Sequence, residues 1–344
     1  QFLQSLDSLQ DGPMVEIHVT HRNWTISYIL HHILPEEVHP PPTAYEQVGH
    51  VAHLNLKEHH VPYAHVIGDV LVECIPNIET VINKVGQVSG KHRTFEMDVL
   101  AGEPDFDVQV SENGVRLGFD LEKVYWCSKL SGEREYLLKH VFREGQIICD
   151  PFCGVGAACI LAATKRNCRI WANDWNPHAV EACRKNAKRN HVASRFEKLD
   201  CADAYDFLTD IGLDGKLPDH VLMNYPLEAT KFLSTLRWWP STSNVIPTVH
   251  VYTFARQQDN NNNHHQQQQG NRSFLDVAID DVADHLFPAF GAVEETMMRK
   301  DELDELGCNV QARFIRDVAP GKVVVCVSFQ VTNQLLRNMQ GDFD

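Results

Sequence analysis

A glycine-containing turn between a predicted strand and a predicted helix is the feature of this sequence best suited to binding a ligand. The segment Asp150-Pro151-Phe152-Cys153-Gly154-Val155-Gly156 follows the apolar run 147–149. Its two glycines let the backbone turn tightly and leave space for a ligand beside the loop. The third glycine of a dinucleotide-binding fingerprint is missing, because Cys159 occupies that position. A nicotinamide-dependent oxidoreductase is therefore less favoured.

Polar residues also end three further predicted strands, at Asp174, Asp200 and Asn224. The carboxyl ends of successive parallel strands open onto one crevice, so we expect these side chains to meet there with Asp150. Asp174 can accept hydrogen bonds from both hydroxyls of a ribose, and Asp200 can meet the amino group of an adenine. Any one of these residues could be a helix cap or a turn residue. Their joint occurrence predicts an S-adenosylmethionine-dependent methyltransferase.

The segment Asn224-Tyr225-Pro226 adds a group that suits a nucleobase substrate. An amide offers both a donor and an acceptor, which matches the edge of a base. The alternative is that Asn224 caps the following helix, with Pro226 in its first turn. The two roles are compatible.

These residues need a scaffold, which the pattern of residues 125–344 supplies. Alternating strands and helices there predict a Rossmann-like α/β domain with a mostly parallel sheet. The predicted strands are 147–149, 170–172, 195–199, 220–223, 249–252 and 323–329, and the predicted helices are 157–165, 176–190 and 227–236. The Asn-, His- and Gln-rich tract 257–272 cannot bury a core and is predicted to be an insertion.

Residues 14–124 predict a smaller α+β domain that precedes this one. A helix over 25–34 stops at Pro35, and Asn113-Gly114 joins two strands of a hairpin. Further strands are predicted at 15–19, 70–72, 80–82 and 106–110. We expect residues 1–13 to be a leader or the remnant of a missing N-terminal domain.

The composition argues against several classes of function. A formal net charge of -15 argues against a nucleic-acid partner unless basic residues gather on one face. The ten cysteines form no CxxC pair and several lie in apolar runs, which indicates buried free thiols. Histidine pairs lack a third ligand at suitable spacing, so no metal site is expected. Because no apolar run approaches 18 residues, no membrane span is expected either.

Several longer segments match one known family. They are VGHVAHLNLKEHHVPYAHVIGDVL at 48–71, NKVG at 83–86, HRTFEMDVLAGEPD at 92–105, VYWCSKLSGERE at 124–135, DPFCGVG at 150–156, NDWNPHAVEACRKNAKRN at 173–190, MNYPLEATKFL at 223–233 and IRDVAPGKVVVCVSFQV at 315–331. Through them the chain closely resembles the tRNA (guanine-37, N1)-methyltransferases of archaea and eukaryotes. The resemblance covers about residues 14–331.

The resemblance implies an S-adenosylmethionine cofactor, a tRNA partner and methylation of the guanosine 3′ of the anticodon at N1. It also implies a protein of the nucleus, the cytoplasm or the mitochondrial matrix, and we expect a monomer. For tRNA binding we expect a local basic face that includes Arg184, Lys185, Lys188 and Arg189. Two alternatives remain, an aminocarboxypropyl transferase of the wybutosine pathway and a non-catalytic tRNA-binding protein.

The resemblance also implies roles for single residues. Glu133 matches the family's general base and Arg93 matches an arginine that offsets charge on guanine O6, while Asn224 holds the base. Without the resemblance, the sequence favours Glu133 as a capping glutamate at a helix start and Arg93 as one member of a surface ion pair. The expected cofactor contacts are Arg134, Asp150, Phe152, Gly154, Gly156, Asp174, Trp175, Asp200, Cys201 and Asn224. The chain departs from the family at Tyr225, usually a small aliphatic residue, and at Lys129, usually an arginine.

Overall fold

The computed structural model describes residues 23–89, 94–256, 273–287 and 299–341. Residues 1–13, the strand predicted at 15–19, Arg93 and the tract 257–272 lie outside the described residues. The chain divides into two compact units, one of residues 1–87 and 95–105 and one of residues 88–94 and 106–344.

The first unit is a small α/β unit whose sheet has the strand order β1-β2-β3-β4 among the described residues. Its elements are helix α1 Ile26–Ile33, strands β1 Glu46–Val48 and β2 Val51–Leu54, helix α2 Ala64–Cys74, and strands β3 Thr80–Ser89 and β4 Thr94–Gly102. Strand β1 runs antiparallel to β2, which runs parallel to β3. The predicted helix that ends before Pro35 and the strand at 80–82 are confirmed.

One prediction for this unit is wrong, because the strand expected at 70–72 lies inside α2. The residues Ala64, Ile67, Gly68 and Leu71 are buried and recur at helical spacing. A short apolar run such as Val70-Leu71-Val72 fits a strand or a buried helix equally well by periodicity alone, and the packing of α2 on the sheet decides for the helix.

The second unit is built on a seven-stranded sheet in the described part of the chain, with the order β12-β13-β11-β10-β7-β8-β9. Its strands are β5 Asp107–Glu112, β6 Val115–Asp120, β7 Ile147–Asp150, β8 Arg169–Asn173, β9 Phe196–Asp200, β10 His220–Met223, β11 Thr248–Arg256, β12 Gln311–Ala319 and β13 Lys322–Gln330. Its α-helices are α3 Ser131–Tyr136, α4 Ala157–Arg166, α5 Pro177–Arg189, α6 Ala204–Asp214, α7 Phe274–Leu286, α8 Arg299–Glu305 and α9 Asn333–Gln340. Residues Ala229–Trp238 form a 3-10 helix.

The sheet direction explains why the site lies where it does. Strands β11, β10, β7, β8 and β9 are parallel neighbours, whereas β13 is antiparallel to β11 and β12 to β13. Every residue of β7 and of β10 is buried, as expected for strands covered on both faces. The mostly parallel α/β sheet predicted from the sequence is confirmed, and the carboxyl ends of β10, β7, β8 and β9 lie next to one another.

The hairpin of β5 and β6 belongs to the second unit. Asn113 and Gly114 join its strands with φ of +50° and +78°, the left-handed pair that a tight hairpin turn requires. The side chains of Asn186 on α5 and of Asn190, which caps the end of α5, accept hydrogen bonds from the β6 backbone at 2.7 and 3.0 Å. These bonds group the hairpin with the second unit, so the division lies near residue 105, whereas the sequence had suggested 124.

A large apolar core stabilises the second unit. It lies between the sheet and the helices α6, α7 and α9, and it includes Trp239, whose indole N–H donates to the Leu208 carbonyl at 3.0 Å. None of the described helices is long and apolar enough to cross a membrane.

Candidate active site

The turn after β7 has the open glycine geometry that its sequence predicts. Gly154 and Gly156 adopt φ of +54° and +84°, a backbone region that other residues rarely occupy. A Cβ on Gly154 would meet nothing within 4 Å, whereas a Cβ on Gly156 would lie 2.5 Å from Cys183 Sγ. Gly154 therefore borders open space, and Gly156 allows α4 to pack closely on α5.

The carboxylate of Asp174 links the loop after β7 to the residues that follow β8. Its carboxylate accepts the backbone N–H of Gly154 at 2.8 Å and that of Asn176 at 2.9 Å. Asn176 caps α5 by accepting the N–H of His178, with Pro177 at the first helical position, as predicted. The cap and the carboxylate thus fix the glycine loop against the start of α5.

The residues after β8 and β9 form a second cluster on the exposed side of Asp174. The backbone N–H of Asp174 donates to the Asp200 carbonyl at 3.4 Å, and Cys201 Sγ lies 3.7 Å from the Trp175 carbonyl oxygen. The side chain of Trp175 is 46% exposed, and Asp200 and Cys201 are exposed too. Four predicted cofactor contacts therefore lie side by side at the sheet edge.

A cavity of about 70 Å³ opens beside the glycine loop. The cavity is lined by Leu130, Glu133, Arg134, Leu137, Asp150, Phe152, Cys153, Ala157, Ala158, Leu222, Asn224 and Tyr252. The structure thus brings together five residues that the sequence singled out, Glu133, Arg134, Asp150, Phe152 and Asn224.

Asp150 is a buried carboxyl at the wall of this cavity. Burial raises its pKa to about 7, although the N–H of Phe152, which donates to it at 3.1 Å, opposes the rise. The charge of Asp174 adds to the increase. A carboxyl that titrates near neutrality in a cleft is a common mark of a functional site.

Glu133 is the most strongly hydrogen-bonded carboxylate in the cavity wall. It lies on α3 and is 7% exposed. The hydroxyl of Tyr252 donates to Oε1 at 2.6 Å, and the guanidinium of Arg313 donates to both oxygens at 2.6 and 2.8 Å. These three bonds come from side chains of β11 and β12, so Glu133 is not the helix-capping residue that the alternative interpretation suggested.

Arg134 also lines the cavity, but its positive charge is paired with the carboxylate of Glu112. Its guanidinium donates to both oxygens of Glu112 at 2.5 and 2.6 Å and lies 4.9 Å from the ring centroid of Trp126. Both members of the ion pair are nearly buried, at 10% and 12% side-chain exposure. Arg134 therefore shapes the wall and links the β5–β6 hairpin to α3.

Asn224 lies at the end of β10 and faces the cavity. The 3-10 helix that follows is preceded by Glu228, so Asn224 does not cap it. Next to it, Tyr225 stacks on Phe152 with 5.3 Å between ring centroids, and Phe152 meets Phe232 edge-on at 5.1 Å. Tyr225, a departure from the family pattern, thus completes an aromatic wall.

These residues fit S-adenosylmethionine by the chemistry of their groups. Gly154 leaves room at the loop, Asp174 places a carboxylate beside it, and the exposed Trp175 offers an apolar ring surface. A ribose needs acceptors for its hydroxyls and an adenine needs an apolar face, so both requirements are met. Among the described residues, no group of three or more His, Cys, Asp or Glu could hold a metal ion.

Known proteins match this chain over nearly its whole length. A tRNA (guanine(37)-N(1))-methyltransferase 2 of Phaeodactylum tricornutum is 48% identical, with 96% of this chain and 62% of the relative covered. A tRNA (guanine(37)-N(1))-methyltransferase of Drosophila pseudoobscura pseudoobscura is 33% identical, with 94% of this chain and 70% of the relative covered. The chain belongs to the tRNA (guanine(37)-N(1))-methyltransferase family. It spans about 62% of the length of the Phaeodactylum relative.

Family models and solved structures agree with this assignment. The TYW2 N-terminal domain matches residues 26–105, and the TRM5/TYW2 methyltransferase domain matches residues 108–277. The fold resembles that of aTrm5 in its complex with tRNALeu, with a TM-score of 0.65, 22% identity, and 94% and 81% of the two chains covered. It also resembles TYW2 of M. jannaschii in complex with AdoMet, with a TM-score of 0.51, 16% identity, and 83% and 98% covered. The Rossmann-like methyltransferase fold expected for the family is thereby confirmed.

Three side chains that contact predicted site residues of this tRNA (guanine(37)-N(1))-methyltransferase family member were not predicted from its sequence. Glu112, Tyr252 and Arg313 each bond a predicted site residue, from sequence distances of 22, 119 and 180 residues. No motif surrounds them, and only a pairing of charged and buried positions could have suggested them.

The basic face predicted for tRNA binding stays a prediction. Arg184 and Lys185 both pair with Glu181 on α5, which reduces their net charge. Lys188 is exposed and Arg189 donates to Asn186 at 2.9 Å.

Proposed function

We propose that this chain transfers a methyl group from S-adenosylmethionine to N1 of guanosine 37 of tRNA. One observation carries the proposal: a buried carboxylate, Glu133, and an amide, Asn224, face the same cavity beside the glycine loop. Support comes from the family, whose named members are tRNA (guanine(37)-N(1))-methyltransferases. The AdoMet complex of a protein with the same fold supports the cofactor, and the tRNALeu complex of another supports the partner.

The chemistry needs a proton acceptor, because guanine N1 carries a proton that must leave as the methyl arrives. When bound, S-adenosylmethionine supplies a methyl on a positively charged sulfur, which keeps the electron pair of the broken S–C bond. Glu133 accepts the N1 proton while the N1 electron pair forms the new N–C bond, so charge and atoms balance. The low exposure of Glu133 keeps water from competing for it.

Two further side chains complete the proposal. The Asn224 amide donates to and accepts from the edge of the base, which selects guanine by its pattern of donors and acceptors. Arg93 offsets the charge that develops on guanine O6, a role that rests on the family resemblance alone because Arg93 lies outside the described residues. The target base must leave the anticodon-loop stack to reach the cavity.

A nucleoside assay tests the reaction, the substrate and the site together. The 344-residue chain is incubated with labelled S-adenosylmethionine and two unmodified tRNA transcripts, one with guanosine and one with adenosine at position 37, and the nucleosides are analysed by mass. We expect N1-methylguanosine from the first transcript and no product from the second. No product from either would refute the proposal for this chain. A product heavier by an aminocarboxypropyl group would assign the chain to the wybutosine pathway instead.

The role of Glu133 is tested by a matched pair of variants. Glu133→Gln keeps the shape but removes the base, and we expect methyl transfer to fall by about 100-fold or more. Glu135→Gln, two residues along the same helix and paired on the surface with Lys139, serves as the control and keeps wild-type activity. Full activity of Glu133→Gln would rule out this residue as the base.

A further inference from the structure

The carboxylate of Glu133 accepts two hydrogen bonds from an arginine on an edge strand. Arg313 lies on β12, and its Nη1 donates to Oε2 of Glu133 at 2.6 Å while its Nη2 donates to Oε1 at 2.8 Å. The Glu133 side chain is 5% exposed and that of Arg313 is 29% exposed. Two parallel hydrogen bonds of this kind fix both the distance and the plane of a carboxylate.

Arg313 is itself held on its other side. Its guanidinium carbon lies 3.8 Å from the centroid of the Tyr136 ring, within the range of a cation–π contact. Tyr136 is the last residue of α3, the helix that carries Glu133. The guanidinium is therefore placed by one helix and in turn orients a side chain of that same helix.

The hydrogen bonds leave the two oxygens of Glu133 unequal. An ionised carboxylate has about four acceptor positions, two on each oxygen. Among the described residues, Oε1 accepts two bonds, from Tyr252 and Arg313, whereas Oε2 accepts one, from Arg313. Oε2 is therefore the oxygen with acceptor capacity left for a substrate proton.

We propose that Arg313 is a positioning residue that directs Oε2 of Glu133 toward the substrate N–H. The proposal rests on the proposed function, in which Glu133 accepts the N1 proton of guanine. The two parallel hydrogen bonds hold the carboxylate in one plane, so the base is oriented before the substrate arrives. Tyr252 supports the same orientation from β11, since its hydroxyl fills a position on Oε1.

Loss of Arg313 lowers the rate of methyl transfer without weakening the binding of cofactor or tRNA, which a purely structural role would not do. The rate of methyl transfer by Arg313→Gln at pH 7 falls by about 10- to 100-fold, because the base is misaligned. The affinities for S-adenosylmethionine and for tRNA stay within about threefold, since neither depends on the proton acceptor.

The experiment is a single-turnover assay of methyl transfer to a guanosine-37 transcript at pH 7, with the affinities for S-adenosylmethionine and for tRNA measured separately. The proteins are the wild type, Arg313→Gln, Arg313→Lys, and the control Arg316→Gln from the same strand, where Arg316 donates to the Asp317 carbonyl. We expect Arg313→Lys to lie between the wild type and Arg313→Gln, because it keeps the cation but loses the two-pronged geometry. Arg316→Gln should follow the wild type.

Thermal unfolding of each variant separates misfolding from misalignment. If Arg313→Gln does not fold, Arg313→Lys carries the test, since it leaves no buried charge without a partner. A complementary test uses Arg313→Ala with added guanidinium ion at millimolar concentration, which should restore part of the rate. A structural role would give no such rescue.

The outcomes distinguish this proposal from the one it rests on. If the wild type makes no N1-methylguanosine, the proposed function fails and the role of Arg313 fails with it. If the wild type is active and the Arg313 variants keep the wild-type rate, the role of Arg313 alone is refuted. A weaker tRNA affinity with an unchanged single-turnover rate at saturating tRNA would likewise refute it and would place Arg313 among the RNA contacts.

Discussion

The imidazole rings of His220 and His250 share a hydrogen bond of 3.1 Å between Nδ1 and Nε2, on the neighbouring strands β10 and β11. His250 continues the chain of bonds through its Nδ1, which lies 2.8 Å from Ser328 Oγ. Burial lowers the pKa of His220 to about 4 and that of His250 to about 3. The pair is therefore uncharged at neutral pH, within the same sheet that carries Tyr252.

This pair makes stability depend on pH. In the unfolded chain a histidine takes up a proton near pH 6.5, whereas the folded chain does so only near pH 4 or 3. The unfolded state thus binds more protons as the pH falls, so the free energy of unfolding drops from pH 6.5 toward pH 4. We expect His250→Gln to make this slope shallower by about 1.4 kcal/mol per pH unit. Urea unfolding at intervals between pH 4.5 and 7 measures it, and an unchanged slope would mean that His250 is protonated in the folded protein.

The ion pair of Arg134 with Glu112 predicts a large loss of stability when one partner is removed. Both side chains are nearly buried, so Glu112→Gln leaves the guanidinium without a counter-charge. Breaking a buried pair in this way costs about 3–5 kcal/mol. The matched control is Glu135→Gln, which breaks the exposed pair with Lys139 and should cost less than about 1 kcal/mol. Denaturant unfolding of both variants checks this, and equal losses would contradict the burial argument.

Asp150 should give the opposite pH dependence to the histidine pair. Its pKa of about 7 in the folded chain lies above the unfolded value of about 3.9. The folded state therefore holds an extra proton between these two values, and the free energy of unfolding falls as the pH rises from 4 to 7. Asp150→Asn cannot ionise, so its stability relative to the wild type should rise across this window by up to about 4 kcal/mol. Chemical unfolding of both proteins at pH 4.5 and 7.5 measures the difference, and a constant difference would show that Asp150 is ionised throughout.

The parts of the fold that were predicted correctly are those with strong local signals. The pattern of buried strands, the Asn113-Gly114 turn and the cap at Asn176 each depend on a few neighbouring residues, and each is confirmed. The adjacency of the strand ends followed from the general rule for parallel sheets. It placed Asp150 and Asn224 at the cavity, whereas Asp174 and Asp200 bond to each other through their backbones and are not among the residues that line it.

The parts that were missed depend on tertiary packing. Strand β12 has no fully buried position and exposes Phe314, so its sequence lacks the apolar alternation of a half-buried strand. It is formed by pairing with β13, and this pairing brings Arg313 to Glu133 across 180 residues. The assignment of α2 failed for a related reason, since only its contacts with the sheet distinguish it from a strand.

The two glycines of the loop after β7 should differ in their tolerance of alanine. Both have positive φ, which costs an alanine about 1–2 kcal/mol. At Gly154 that strain is the whole cost, because a Cβ would meet nothing within 4 Å. At Gly156 the Cβ would also lie 2.5 Å from Cys183 Sγ, so the neighbouring helix α5 must shift. We expect Gly154→Ala to lower the free energy of unfolding by about 1–2 kcal/mol, and Gly156→Ala by about 1–3 kcal/mol more.

A double-mutant cycle separates the collision from the backbone strain. Cys183→Ala removes the sulfur that the new Cβ would strike, so the Gly156→Ala and Cys183→Ala variant should be more stable than the sum of the single losses predicts. The same Cys183→Ala change combined with Gly154→Ala should be additive, because Gly154 has open space at its Cβ. Urea unfolding of the five variants gives both coupling energies. Equal coupling at the two glycines would mean that the strain at Gly156 comes from its φ alone, and that the close packing of α4 on α5 does not require a glycine there.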